Sequence, residues 1–356
     1  MSERPFEIRD DLRAIPAYRA PQADAAIRLN TNESPWPPPK EFAAELAARL
    51  RSLDLNRYPD REARALREGL GARHGWPMGG TWAANGSNEI IQTLLLTFGG
   101  PGRSVLLFEP TYAMHSHIAH VTLTTVVRKD IPEPWMLDVT TVYSAVSFDP
   151  PALTFICSPN NPTGNAHPLS VVEAALEAGP GLVVVDEAYG EFGGESARAL
   201  LDKYERLVVI RSFSKSWRLA GARIGYMLAH PWLIDAIQVA RLPYHLSALT
   251  QAAGEVALKH AQVILAGVAE IVAERDRLSK ELERVPSVEV FHSDANFILF
   301  RTPVDGSSLW KQLADNGVLV RDFSQVIPRA LRVTVGTGNQ NADFVETLRS
   351  VLAHGA

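Results

Sequence analysis

Four short apolar runs each hand over to residues that can do chemistry. Phe108 is followed by Glu109-Pro110-Thr111-Tyr112, and Cys157 by Ser158-Pro159-Asn160-Asn161-Pro162-Thr163-Gly164. Val185 leads into Asp186-Glu187-Ala188-Tyr189, and Ile210 into Arg211-Ser212-Phe213-Ser214-Lys215. Taken singly, each has an ordinary reading. An Asp closing a strand caps a turn, Asn-Pro-Thr-Gly is itself a turn, and a Lys between serines is solvated. One crevice that collected them would hold an amine, a carboxylate, two phenols, an amide and two hydroxyls.

That set answers one chemical problem, catalysis by pyridoxal phosphate. The cofactor needs a lysine amine for its Schiff base and a carboxylate at its pyridinium nitrogen. Lys215 can supply the amine. Arg223, folded back beside it, would help keep it deprotonated by like-charge repulsion. Asp186 closes an apolar run, so burial is expected, and a buried carboxylate needs a cation or strong donors. A protonated ring nitrogen satisfies it and keeps the ring an electron sink. Tyr189 and Asn161 can donate to the ring's phenolic oxygen, and Tyr112 can stack on the ring face. Gly86-Ser87-Asn88 opens a predicted helix, whose free N–H groups and positive end favour a phosphate. Ser212, Ser214 and the forked guanidinium of Arg223 would complete that cradle.

Such residues need a scaffold that brings strand ends together. The runs Val105–Phe108, Leu153–Cys157, Leu182–Val185, Leu207–Ile210 and Ile224–Ala229 are rich in Val, Ile and Leu and almost unbroken by polar residues. That is the texture of strands buried on both faces of a mostly parallel sheet. Helix periodicity appears at Phe42, Leu46, Leu50 and Leu53, and after Gly86 at Ile90, Ile91, Leu94, Leu95 and Phe98. Ser170 and Glu173 predict a capping box ahead of Ala174–Ala178. Alternating strands and helices imply an α/β sheet with crossover helices, which binds ligands outside the carboxyl ends of its strands.

Beyond residue 246 the texture changes. Residues 251–285 read as one long helix or two in series. Strand-like Phe297–Phe300, a helix over Leu309–Asp315, strand-like Val318–Val320 and Leu331–Val335, and a helix from near Asn341 follow. The expected division is an N-terminal arm over 1–39, with Pro35, Pro37, Pro38 and Pro39 as an extended link. A large cofactor-binding α/β domain over 40–245 and a smaller α+β domain over 246–356 complete it.

In this order and spacing the motifs resemble the class I/II, fold-type-I pyridoxal-phosphate aminotransferases, and within them the branch that acts on histidinol phosphate. The resemblance runs from about Tyr18 to Gly336. It includes Leu29-Asn30-Thr31-Asn32-Glu33-Ser34-Pro35, Tyr58-Pro59, Asn85-Gly86-Ser87-Asn88-Glu89, Pro159 to Gly164, Asp186 to Tyr189, and Ser212-Phe213-Ser214-Lys215 leading to Gly221-Ala222-Arg223-Ile224-Gly225-Tyr226. Pro243 to Ser247, Asn296-Phe297 and Gly317 to Asp322 extend it. It implies that Lys215 is the Schiff-base lysine, Asp186 the partner of the pyridine nitrogen, and Tyr189 and Asn161 the donors to the phenolic oxygen. Tyr112 matches the stacking aromatic, and Gly86, Ser87, Asn88, Ser212, Ser214 and Arg223 the phosphate cradle. Tyr58 matches a tyrosine that reaches the phosphate from the neighbouring subunit of a homodimer. Arg332 matches the arginine that holds the substrate carboxylate, and Tyr18 and Arg321 match residues on the phosphate of histidinol phosphate. The implied reaction is transamination between histidinol phosphate and glutamate/2-oxoglutarate, a step of histidine biosynthesis. Threonine-phosphate decarboxylases and broad aromatic aminotransferases share the fold and cofactor and stand as alternatives. The intact set of Lys215, Asp186, Tyr189 and Arg223 argues against a non-catalytic regulator. The chain departs from the common pattern at Ser34 and at Ser216-Trp217-Arg218, where the family often has a small residue, an aromatic and a Gly.

Composition narrows the remaining classes. The 356 residues carry 35 Lys+Arg against 40 Asp+Glu, a net charge of −5, which argues against a general nucleic-acid binder. With 46% hydrophobic and 21% charged residues, the composition argues against wholesale disorder and fibrous structure. No apolar run approaches the roughly 18 residues of a membrane span, and no signal-peptide core follows the charged start. A cytoplasmic protein without membrane partners is expected. The single cysteine, Cys157, rules out a disulfide framework and a Cys-rich zinc site, and reads as core packing. His115, His117 and His120 are spaced by two and five, which do not share a helix face, so no metal is expected.

Overall fold

The computed structural model describes residues 8–13, 15 and 24–354. A two-residue strand, β1 (Ile27–Arg28), comes first. Seven strands then form the main sheet: β2 (Thr81–Ala84), β3 (Ser104–Glu109), β4 (Thr125–Asp130), β5 (Leu153–Cys157), β6 (Leu182–Asp186), β7 (Leu207–Ser212) and β8 (Gly225–Ala229). Their spatial order is β2-β8-β7-β6-β5-β3-β4, and β8 alone runs antiparallel to its neighbours. All five predicted strands are present. No apolar run marks β4, because it is an edge strand with mostly exposed side chains.

Strand residues alternate between two cores, as a pleated strand requires. Val183 and Val185 of β6 face one core, while Leu182 and Val184 face the other. The first is covered by the helices Val139–Phe148 and Leu169–Ala178 through Val142, Val146, Val171, Val172 and Leu176. The second is covered by Ser87–Phe98, Ala113–Val121 and Pro231–Ala236 through Ile90, Ile91, Leu94, Leu95, Ile118 and Leu233. Each such side chain contributes about 1.5–3 kcal/mol of burial. Both faces being dry is why the strands read as unbroken apolar runs.

The capping box expected at Ser170 and Glu173 does not form. The helix starts at Leu169 with Pro168 at its N-cap and no side-chain cap. Ser170 therefore lies inside the first turn, where it cannot cap it. Glu173 instead accepts hydrogen bonds from Lys203 Nζ (2.8 Å) and Tyr204 Oη (3.3 Å).

The second unit contains β9 (Glu289–Val290), β10 (Phe297–Arg301), β11 (Val318–Leu319), β12 (Arg321–Asp322) and β13 (Ala330–Thr334). An antiparallel sheet in the order β12-β13-β10-β9 packs Ile298, Phe300, Leu331 and Val333 against Leu309, Leu313, Phe344 and Leu348. β11 pairs in parallel with β1, and Leu29, in the segment expected to lie outside the core, is buried here. The helical stretch divides into Ala248–Lys259 and Ala261–Glu283, bent by 77°. The latter helix places Ile264 in the large core and Leu278 and Leu282 in the small one. The chain thus changes core along this helix, downstream of residue 246. Among the described residues no single helix is long and apolar enough to cross a membrane.

Candidate active site

The carboxyl ends of β3, β5, β6 and β7 open on one cavity of about 380 Å³. Of the residues singled out from the sequence, Ser87, Asn88, Tyr112, Asn161, Asp186, Tyr189, Ser212, Ser214, Lys215, Arg223, Arg321 and Arg332 line it. Gly86 stands just behind, at the N-cap of the helix Ser87–Phe98. Tyr58 is elsewhere: it is 79% exposed and stacks on Tyr244 at 4.3 Å. Tyr18 lies outside the described residues.

Lys215 follows β7, and its Nζ donates to the Thr31 carbonyl at 2.8 Å, 5.9 Å from the Tyr189 ring centre. Burial lowers its pKa to about 8, helped by Arg332 and then Arg223 and opposed by Glu33. The repulsion expected from Arg223 is therefore present, but burial and Arg332 outweigh it.

Asp186 ends β6 with 2% of its surface exposed. Its Oδ1 accepts from the Ala188 N–H at 3.1 Å, and its Oδ2 lies 3.1 Å from His115 Nε2. His115 is fully buried and stacks on Phe155 at 4.6 Å. The sequence alone presents this residue only as part of the His115, His117 and His120 set, with no sign of its pairing with Asp186. The available signal was its place three and four residues before Ile118 and Ala119, on the buried face of the helix. Among the described residues no cluster suited to a metal ion is found.

Tyr189 is buried, and its Oη accepts from Asn32 Nδ2 at 2.9 Å. Burial pushes its pKa up to about 12, so the phenol stays protonated and can donate. The Asn161 amide oxygen accepts from Arg332 Nη1, which leaves the amide nitrogen to donate to a ligand. Tyr112 Oη donates to Asn88 Oδ1 at 3.2 Å.

The helix Ser87–Phe98 begins without a side-chain cap, at Gly86 with φ 78° and ψ 169°. Its first N–H groups are thus open to an anion. Arg223 Nη1 donates to Ser214 Oγ (3.4 Å) and the Ala220 carbonyl (3.1 Å), and the Ser214 N–H donates to Ser212 Oγ (3.1 Å). A Cβ on Gly86 would stand 2.7 Å from Arg223 Nη2, so the cradle closes only around a glycine. Hydroxyls, helix N–H groups and a guanidinium, with no carboxylate among them, suit a phosphate.

Arg321 on β12 and Arg332 on β13 are direct register partners. Like charges facing each other across strands are destabilising, and an anion between them would offset that repulsion. Arg332 is buried between the rings of Phe297 (4.9 Å) and Phe323 (5.0 Å), and its Nη2 donates to the Asn30 carbonyl at 3.0 Å.

A buried ionic network backs the site, one position along from its working residues. Arg211, beside Ser212, bonds Glu187, beside Asp186, at 2.6 Å, and Glu191 at 2.9 Å. Ser216, beside Lys215, donates to Glu191 at 3.0 Å. In the departure at 216–218, Trp217 stacks on Phe213 at 4.2 Å. Arg218 donates to the Pro37 carbonyl at 3.3 Å and lies over Trp36. Its guanidinium fills the space a side chain at Gly267 would need.

Residues 24–348 match the family model for aminotransferase class I and II. The chain is 48% identical to the histidinol-phosphate aminotransferase of Thermobifida fusca over 348 residues, 96% of this chain and 94% of that protein. Its fold is similar to that of histidinol-phosphate aminotransferase from Sinorhizobium meliloti in complex with pyridoxal-5'-phosphate (TM-score 0.86, 23% identity, 93% and 92% of the two chains). It is also similar to L-threonine-O-3-phosphate decarboxylase from Porphyromonas gingivalis (TM-score 0.80, 22% identity, 92% and 99% covered).

Proposed function

The chain belongs to the class I and II aminotransferase family, and on that premise we propose that it moves the amino group of histidinol phosphate to 2-oxoglutarate with pyridoxal phosphate as cofactor. The observation that carries the substrate is the register pair Arg321 and Arg332 on the cavity that also holds Lys215 and Asp186. Histidinol phosphate has no α-carboxylate, so its phosphate must meet the cations that otherwise receive the carboxylate of glutamate. Two guanidiniums offer forked donors enough for a dianion.

The cavity fits the cofactor group by group. Ser87, Asn88, Ser212, Ser214 and Arg223 would hold its phosphate, Asp186 its ring nitrogen, Tyr189 and Asn161 its phenolic oxygen, and Tyr112 its ring face. When bound, pyridoxal phosphate supplies an electron sink for the carbon that carries the amine. Asp186, held by His115 and the Ala188 N–H, keeps a proton on the facing nitrogen. Tyr189, kept neutral by burial, donates its hydroxyl proton while Asn32 occupies its lone pair. Lys215 Nζ takes the proton from the amine-bearing carbon of the substrate and later returns one. Its pKa of about 8 leaves a useful share of free amine near neutrality. Arg332 holds Asn161 in place while it faces the substrate anion.

The same reading includes a homodimer in the cytoplasm, with Tyr58 reaching the phosphate of the neighbouring subunit. The exposed, stacked pair Tyr58 and Tyr244 supports it, since a large aromatic surface left in water suits a subunit face.

Threonine phosphate carries both a carboxylate and a phosphate, so it too would use two arginines. One panel separates the readings: histidinol phosphate, phenylalanine and threonine phosphate, with 2-oxoglutarate as acceptor and carbon dioxide monitored. Histidinol phosphate should give the highest kcat/KM by at least ~10-fold, the ratio set by ~1.4 kcal/mol of transition-state binding. Carbon dioxide from threonine phosphate, or a preference for phenylalanine, would overturn the substrate.

A further inference from the structure

We infer that Glu33 selects the substrate's imidazole ring, its carboxylate accepting the ring N–H. This rests on the histidinol phosphate reading and deepens it.

The cavity lining holds two carboxylates, Asp186 and Glu33. Both oxygens of Asp186 have partners and face the cofactor's ring nitrogen in the mechanism above. Glu33 has no part in that mechanism. Its Oε2 accepts from Thr31 Oγ1 at 2.8 Å, and among the described residues no Lys or Arg forms an ion pair with it. It lies within electrostatic reach of the reacting amine, because its charge raises the Lys215 pKa against the other influences. A substrate whose amine lies at Lys215 and whose phosphate lies at Arg321 and Arg332 has one group left to place, the ring. An imidazole always presents at least one N–H donor, and its pKa near ~6.5 lets a carboxylate favour the doubly protonated form as well. A phenyl ring in that place would strip water from Glu33 and return no hydrogen bond. Polar sites discriminate most strongly in that way.

The backbone that carries this exposed carboxylate is also held in position. The strap that carries it is pinned on one side where Arg332 donates to the Asn30 carbonyl (3.0 Å) and Asn296 Nδ2 to the Asn32 carbonyl (3.1 Å). The Asn32 N–H donates to Thr334 Oγ1 (3.0 Å). On the other side Arg218 donates to the Pro37 carbonyl (3.3 Å). Glu33 stands between these points, so the substrate need order its side chain but not its backbone.

The test compares holoenzyme and its Glu33→Gln and Glu33→Leu variants on histidinol phosphate and on phenylalaninol phosphate, which keeps the amine and phosphate and changes only the ring. Glu33→Gln should lower kcat/KM for histidinol phosphate at least ~10-fold, mostly through KM, as loss of a charge-assisted hydrogen bond predicts, and leave the phenyl compound within ~3-fold. Glu33→Leu should reverse the ring preference. Calorimetric titration with the amine-free imidazolylpropyl and phenylpropyl phosphates gives a second reading, in which Glu33→Gln should weaken only the former. Equal losses on both rings would mean that Glu33 acts through Lys215 or the strap and would overturn the inference, as would no loss on either. A wild type that turns over phenylalaninol phosphate but not histidinol phosphate refutes the substrate reading and this inference with it. Turnover of histidinol phosphate with equal losses refutes the inference alone.

Discussion

Capture of pyridoxal phosphate by the cofactor-free protein should follow the titration of Lys215 near pH 8. Only the neutral amine attacks the cofactor's aldehyde. An ordinary lysine has a pKa of 10.5, and Lys215 is lowered to about 8. At pH 7 its neutral share is then about one in ten, against about one in three thousand for an exposed lysine, a ~300-fold advantage for amines of equal nucleophilicity. The sign is set by the direction of the shift. As pH falls below 8 the amine protonates and the rate drops tenfold per unit, and above 8 the rate levels. Burial is the leading cause, so deleting one charge should move the inflection only part of the way back. Arg332→Gln removes the largest charge contribution and should raise it, and Arg223→Gln should raise it less. Stopped-flow absorbance on mixing cofactor with cofactor-free protein measures the rate at each pH. A rate that keeps climbing tenfold per unit through pH 10 would show that Lys215 is not depressed.

Three further outcomes follow from the site. Gly86→Ala forces a Cβ toward Arg223 in a backbone region open almost only to glycine, at a cost of ~1–3 kcal/mol, so cofactor should bind at least ~5-fold more weakly by equilibrium dialysis; unchanged affinity would place the phosphate elsewhere. Asp186→Ala should cost at least ~100-fold in kcat, and His115→Phe about tenfold, the size of one hydrogen bond to a charged group, since the Ala188 N–H still holds the carboxylate; a near-normal rate for Asp186→Ala would reduce it to a turn residue. Equal mixtures of Tyr58→Phe and Lys215→Ala subunits should regain up to about a quarter of wild-type activity, because half the dimers would carry one intact site; no recovery in mixtures proven to exchange subunits would remove Tyr58 from the neighbouring site.

Lys215, Asp186, Tyr189, Ser212 and Ser214 are legible in the sequence because each follows an apolar run. Runs dry on both faces belong to a mostly parallel sheet, in which β8 alone is antiparallel, and parallel strands gather ligands at their carboxyl ends, so chain position converts to place. Gly86-Ser87-Asn88 is legible for a similar reason, since a helix start is written in a few consecutive residues. Partners across the fold are not written locally. His115 and Asp186 are 71 residues apart, and Asn32 and Tyr189 are 157 apart. Only the packing of the helix Ala113–Val121 against the sheet sets the first pair face to face. Arg321 and Arg332 are set face to face by the antiparallel register of β12 and β13, and a slip of one residue would turn one of them to the opposite face. Ser170 shows the converse: a local capping signal lost because the helix begins two residues early, with Pro168 at its N-cap. Periodicity and turn chemistry act over a few bonds of the chain and so survive in the order of residues. Hydrogen-bond partners, burial and the lowered pKa of Lys215 depend on which distant segments share a cavity, and that is settled when the two cores close.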